Sequence, residues 1–231
     1  MSRSHFAKLS DNQNDLERVG RPKRAELIEE VIFNDIAKKS NLDTRKKILD
    51  IGCGCGTFAK MLIEQSKTNG SEITFIDSSE VISVLKKENP EIECEQFKTV
   101  AGYYPDISKN LDSDYDFILV YSVLHYIRQP ERFIRRMSQL LSPGGILYVG
   151  DIPNQNKKTR FMANSSEFAK PKYFEKNDFT KRFSDLKLLR ILWMLRISGF
   201  ESYIFPQNDS FPHSGSREDL VIFRISEIRK L

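Results

Sequence analysis

The chain has 231 residues, 39% hydrophobic and 29% charged, with a formal net charge of +4. That suits one ordinary globular domain with a full-sized core, and the charge excess is too small to announce a nucleic-acid partner. No apolar run approaches the roughly 18–20 residues of a membrane span, and the N-terminus carries no apolar signal segment, so the expected location is cytoplasmic.

Residues 1–21 are polar and are expected to be a mobile N-terminal segment; residues 22–231 are expected to form a single domain. From Pro22 a helix is expected, because Leu27, Val31, Ile32 and Ile36 recur at three- and four-residue steps. Ser40-Asn41-Leu42-Asp43 ends it. Ile48 to Ile51 then reads as a buried strand that breaks into a turn with glycines at alternate positions, Gly52, Gly54 and Gly56. A helix carrying Phe58, Met61 and Leu62 follows. Ile73 to Ile76 is a second strand, closed by Asp77-Ser78-Ser79, with a helix (Val81, Ile82, Val84, Leu85) up to Pro90. Ile92 to Phe97 alternates weakly and is taken as strand three. Ala101 to Asp114 reads as loop or broken helix. Phe117 to Val120 is a fourth strand, fully apolar as a central parallel strand should be. A helical stripe (Phe133, Met137, Leu140, Leu141), the turn Pro143-Gly144-Gly145 and a fifth strand, Ile146 to Val149, complete the run to Asp151.

This alternation implies an α/β doubly wound domain with a mostly parallel sheet and helices on both faces. Ligands of such sheets sit at the carboxyl ends of the strands. After Asp151 the rhythm breaks. Residues 152–182 hold eight Lys or Arg against three acids, with interleaved aromatics, and read as an insertion or lid. A helix over Leu186 to Ser198 and two strands, Phe200 to Phe205 and Leu220 to Ile225, close the pattern.

The glycine turn lets a ligand approach bare backbone, and the helix behind it offers unpaired N–H groups and a positive dipole end. A dinucleotide fingerprint would run G-x-G-x-x-G, but here Thr57 stands where its third glycine belongs. Asp50, two residues before Gly52, would repel a pyrophosphate and suits a cationic ligand. Cys53 and Cys55 form a C-x-C inside the turn; a metal site would need two more ligands, so both read as small residues fitted to a crowded bend. With Cys94 the count is odd, which argues against a disulfide framework.

The run Asp50-x-Gly52-x-Gly54-x-Gly56 resembles motif I of class I S-adenosylmethionine-dependent methyltransferases. Tyr115 to Val120 resembles that family's fourth-strand motif, and Leu141-Ser142-Pro143-Gly144-Gly145-Ile146-Leu147 its L-x-P-G-G before strand five. The resemblance covers residues 45–152. It implies a seven-stranded, Rossmann-like sheet whose last strand is antiparallel, and S-adenosyl-L-methionine as cofactor. Asp50, Gly52, Gly54 and Gly56 would face the cofactor's amino-acid part, Asp77 with Ser78 its ribose, and Thr99 or nearby backbone its adenine, since the family's usual acid is missing there. Tyr121 would complete the pocket at the end of strand four.

His125 lies at the rim beyond strand four, where an imidazole could remove a substrate proton or simply line the pocket. The stretch Tyr121-Ser122-Val123-Leu124 lacks the Asn/Asp-Pro-Pro-aromatic run of enzymes that methylate base amines. The expected acceptor is therefore a small molecule, anionic or sugar-like, methylated at oxygen. Arg160, Lys170 and Lys172 of the lid are expected to meet its charge, with His213 to Arg217 as further contacts. The alternatives are an RNA or protein methyltransferase, a non-catalytic cofactor-binding relative and a nicotinamide-dependent oxidoreductase.

Overall fold

The structure is a computed structural model that describes residues 26–153, 188–211 and 214–225. The expected segment 1–21, residues 154–182 of the expected lid, His5 and His213 lie outside these residues.

Five helices and seven strands carry the described fold: α1 (Glu26–Ser40), β1 (Lys47–Ile51), α2 (Thr57–Asn69), β2 (Glu72–Asp77), α3 (Ser79–Glu88), β3 (Phe97–Ala101), β4 (Tyr115–Tyr121), α4 (Pro130–Gln139), β5 (Leu141–Pro153), α5 (Leu188–Ile197), β6 (Phe200–Pro206) and β7 (Arg217–Arg224). The sheet order is β3-β2-β1-β4-β5-β7-β6. β1 to β5 run parallel, and β7 is antiparallel to both β5 and β6. The order reverses between β1 and β4, which opens a crevice at their carboxyl ends.

Alternation along the strands divides the core in two. Phe117 and Leu119 of β4 and Ile48 of β1 pack with Ile36 of α1, Leu62 and Ile63 of α2 and Leu85 of α3. Ile118, Val120 and Leu49 point the other way, onto Phe133, Ile134 and Met137 of α4 and Ile191 and Leu195 of α5. Each such fully buried side chain contributes about 1.5–3 kcal/mol relative to exposure.

Three boundaries differ from the sequence expectation. Strand three begins at Phe97 rather than Ile92, because Pro90–Ile92 form a 3-10 turn that buries Ile92. Strand five runs from Leu141 to Pro153, so Pro143-Gly144-Gly145 is a bulge within its pairing to β4 and not a turn before it. Ile152 and Pro153 pair with Glu218 and Arg217, so the first two residues of the expected lid belong to the sheet. The acid of the fourth-strand motif, Asp116, serves the opposite sheet edge from the glycine turn. It accepts the Lys46 and Lys47 N–H groups, each at 3.2 Å, and the Ser142 hydroxyl at 2.9 Å, so it fastens the starts of β1 and β5.

A buried polar cluster joins α1 to the antiparallel half of the sheet. Asp219 of β7 is fully buried. Its carboxylate accepts the Tyr148 hydroxyl (2.6 Å), the Lys39 ammonium (3.3 Å), the Gln207 amide and the Asp151 N–H (both 3.1 Å). Lys39 also pairs with Asp35 one turn back on α1. Burial and the neighbouring Asp219 push the Tyr148 phenol far above its ordinary pKa, so it stays a donor. Tyr148→Phe should lower unfolding free energy by about 1.5–3 kcal/mol, the usual cost of a hydrogen bond to a charged group, measured by urea denaturation. A loss below a few tenths of a kcal/mol would show that the bond contributes nothing net.

Candidate functional site

The turn after β1 is tied to the end of β2. The Gly52 and Cys53 N–H groups both donate to the Ile76 carbonyl, at 2.8 and 3.2 Å. Gly52 has φ +74°, and a Cβ on it would lie 2.3 Å from Cγ2 of Val123, so backbone and space both demand glycine. Gly54 donates its N–H to Oδ2 of Asp77 at 2.9 Å. Gly56 is the N-cap residue of α2 and brings no side-chain cap, so the positive end of that helix faces the turn. Cys53 and Cys55 are buried in the core beneath. Burial, then Asp77 and Asp50, push the Cys53 thiol well above its ordinary pKa and keep it protonated. Among the described residues, no three His, Cys, Asp or Glu are grouped to hold a metal ion.

Asp50 is 3% exposed, and its Oδ2 is buried with no hydrogen-bond donor. Burial first, and the Asp77 charge second, push its pKa up to about 8. An orphaned buried carboxylate oxygen is costly until a donor or cation meets it, and this one lies where β1 enters the turn. Asp77 is better supplied. Its Oδ1 accepts the Ser78 N–H at 2.7 Å and its Oδ2 the Gly54 N–H. Burial raises its pKa, and those two bonds act against the rise. The cap of α3 is made by Ser78, whose hydroxyl accepts the Val81 N–H at 3.3 Å. Asp77 is thus left to face the turn, while the Ser78 hydroxyl is committed to the helix.

Thr99 sits elsewhere than expected. It is the middle residue of β3, level with Phe75, whereas Asp77 is level with Ala101. Gly102 donates its N–H to the Asp77 carbonyl at 2.8 Å, so Ala101, Gly102 and Tyr103 occupy the strand exit beside Asp77. The shift follows from the later start of β3. Tyr121 is the last residue of β4, its ring stacked on Phe58 of α2 at 6.2 Å and 9°. The ring also lies against Gly150 of β5, where a Cβ would fall 2.3 Å from Cδ2 of Tyr121. His125 is half-buried in a 3-10 turn, Leu124–Tyr126, with its ring 4.2 Å from that of Tyr126.

Asp50, Gly52, Gly54, Gly56, Asp77 and Ser78 therefore gather at one sheet edge, with Tyr121 and His125 on the adjoining exit of β4 and Thr99 deeper in the sheet. Two residues that shape the site carry no sequence signal: Val123, which packs on Gly52, and Gly150, which seats Tyr121. A third group, Ser122 with Asp151 and Arg217, is brought together only by the fold. Its traces in the sequence are separate: Asp151 at a strand end, and Arg217 in the last loop.

The raised pKa of Asp50 makes stability pH-dependent. An unfolded Asp titrates near about 3.9, so between that pH and about 8 the folded chain holds a proton that the unfolded chain has released. Stability should then fall as pH rises through this window. Asp77, shifted the same way, adds to the slope. Urea midpoints of the cofactor-free protein should drop from pH 5 to pH 8, and Asp50→Asn should flatten the drop. An equally steep fall in that variant would refute the assignment.

Residues 49–147 match the family model described as a methyltransferase domain. The chain is 28% identical over 162 residues to the ubiquinone biosynthesis O-methyltransferase of Coxiella burnetii (strain Dugway 5J108-111), an alignment covering 68% of this chain and 65% of that one. It is similarly 28% identical over 162 residues to the protein of the same name from Proteus mirabilis (strain HI4320), covering 68% and 61%. The chain thus spans somewhat under two thirds of the length of these curated relatives. Among solved structures, an O-methyltransferase family protein from Burkholderia thailandensis superposes with a TM-score of 0.66 at 16% identity, over 98% of this chain and 62% of that one. The plantazolicin methyltransferase BpumL in complex with SAH gives 0.64 at 16% identity, over 96% and 95%. At that identity the structural likeness speaks for the fold alone. The matched methyltransferase domain and the sequence relatives lie over this sheet and turn, so this part of the chain is similar to S-adenosylmethionine-dependent methyltransferases.

Proposed function

We propose that the chain transfers the methyl group of S-adenosyl-L-methionine to an oxygen of a small molecule. The observation that carries this reading is the buried Asp50 oxygen without a donor, set beside a glycine turn and a second carboxylate, Asp77. The amino-acid ammonium of the cofactor is the kind of group that satisfies Asp50. A carboxylate offers about four acceptor sites, so Asp77 can take ribose hydroxyls in addition to the two N–H groups that orient it. The exit of β3 at Ala101 to Tyr103 is the place for the adenine. When bound, the cofactor supplies a methyl group on a cationic sulfur, and the chain's task is to align the acceptor and exclude water. Tyr121, held between Phe58 and Gly150, closes the pocket toward β5. His125 takes the acceptor proton.

Methylation at oxygen, and a small acceptor, are supported by the names of the sequence relatives. An anionic or sugar-like acceptor is supported by the basic composition of residues 154–182. Transfer of labelled methyl groups into the dialysable fraction of a cell extract tests the reading directly. Label appearing only in protein or RNA would replace it.

The cofactor pocket has its own test. Asp77→Ala should weaken binding of S-adenosylhomocysteine by about 1.5–3 kcal/mol for each charge-assisted bond lost, measured by calorimetry. Because Asp50 holds a proton at neutral pH in the cofactor-free protein, binding of the ammonium should expel it. Affinity should rise from pH 6 to pH 8, and calorimetry in buffers of different ionisation enthalpy should register proton release at pH 7. Unchanged affinity in Asp77→Ala, or binding with no proton release, would contradict these roles.

A further inference from the structure

Beside the cofactor turn, the ends of β4 and β5 carry a second polar arrangement. Ser122 follows Tyr121 and Asp151 follows Gly150, which is paired with Tyr121. Both Ser122 and Asp151 have left-handed backbones, with φ of 59° and 60°. Non-glycine residues adopt this conformation at a cost, and hold it only when the surroundings over-determine it. Here they do. The Asp151 N–H donates to Asp219 at 3.1 Å, and its carbonyl accepts from the Arg217 guanidinium at 3.2 Å. Its carboxylate accepts the Ser122 hydroxyl at 2.7 Å and stands 3.6 Å from Nε of Arg217. Ser122 is itself fixed by its N–H to the Gly150 carbonyl at 3.1 Å. Backbone N–H, carbonyl and carboxylate of one residue are thus all bonded, at the point where the β5–β7 register is interrupted.

Closing a strand end does not require this. Glycine would take the same φ without strain. What the arrangement adds is a carboxylate in a fixed orientation, 19% exposed, on the same sheet edge as the turn. Its neighbours place it there: Val123, next to Ser122, packs on Gly52, and Tyr121 spans from Phe58 to Gly150. A carboxylate recognises a hydrogen-bond donor, and with Asp77 it makes this edge unfavourable for a bare anion. We propose that Asp151, braced by Ser122, Arg217 and Asp219, binds and orients the hydroxyl group of the acceptor. The reacting end of the acceptor is then a neutral hydroxyl, and any anionic group lies away from it. This inference rests on the small-acceptor reading above.

The experiment uses the full chain, labelled S-adenosylmethionine and the dialysable fraction of a cell extract as the acceptor source. Asp151→Gly keeps the left-handed backbone and removes the carboxylate; Asp151→Asn keeps a hydrogen-bond acceptor for Ser122 and removes the charge. Both should bind S-adenosylhomocysteine like the parent protein, which also shows that they fold. Asp151→Gly should lose roughly 10- to 100-fold in transfer to small products, the loss expected for a hydrogen bond to a charged group, with Asp151→Asn between it and the parent. Acetylating the extract fraction should abolish labelling, and mild alkali, which frees esters but not amides, should restore it. Parental transfer by Asp151→Gly would overturn the inference while leaving the small-acceptor reading intact, as would labelling that survives acetylation or that alkali fails to restore. No labelled small product from the parent protein would overturn both.

Discussion

Two carboxylates near the ends of neighbouring parallel strands set the terms for everything around them. β1 ends at Ile51, level with Ile76 and one residue short of the end of β2, so the turn after Ile51 lies against the last peptide of β2, and Asp50 and Asp77 come to share one desolvated corner. Buried negative charge is costly unless donors meet it. The chain supplies two for Asp77, from Gly54 and Ser78. It leaves Asp50 protonated and waiting. The glycine positions, the N-cap of α3 and the packing of Val123 on Gly52 all serve that corner. A protonated Asp50 keeps the ligand-free protein from carrying two adjacent buried charges, and a cationic ligand removes the need for the proton.

The neighbouring crevice is organised by shape rather than charge. Gly150 has no side chain because the Tyr121 ring occupies that space, and the ring stacks in turn on the first turn of α2. The cradle helix, the exit of β4 and the exit of β5 are therefore coupled through one aromatic side chain. Rigid packing of this kind transmits displacement rather than absorbing it, so the glycine turn and the exits of β4 and β5 are parts of one body.

Much of this was legible in the sequence, and the limits have physical causes. The glycine spacing and Asp50 are local features, and strands β1, β2 and β4 are apolar runs that only a buried parallel sheet explains. Strand three was misplaced because Ile92 is buried by a 3-10 turn, which mimics the first inward residue of a strand. With β3 at Phe97–Ala101, Thr99 falls inside the strand instead of beyond its end. Whether Asp77 or Ser78 capped α3 could not be read from composition, since both side chains are suited to it. Ser122, Asp151 and Arg217 were invisible as a group: a left-handed serine leaves no mark in a sequence, and the three meet only once β7 has entered the sheet.

That late entry has a consequence for how the molecule is assembled. β7 lies between β5 and β6, so β6 joins the sheet only through β7. Lys39, on the first described helix, finds its buried partner in Asp219, 180 residues later. The first described helix is thus secured by the last described strand, and a nascent chain lacks the Asp219 partner of Lys39 and the β7 partner of β5 until β7 is synthesised. Contacts of such sequence separation slow folding through the entropy of loop closure. From the completion of β5 at Pro153 until Arg217 begins β7, a growing chain holds the β5 edge without its β7 partner, and an unpaired edge is a template for pairing with a neighbouring chain.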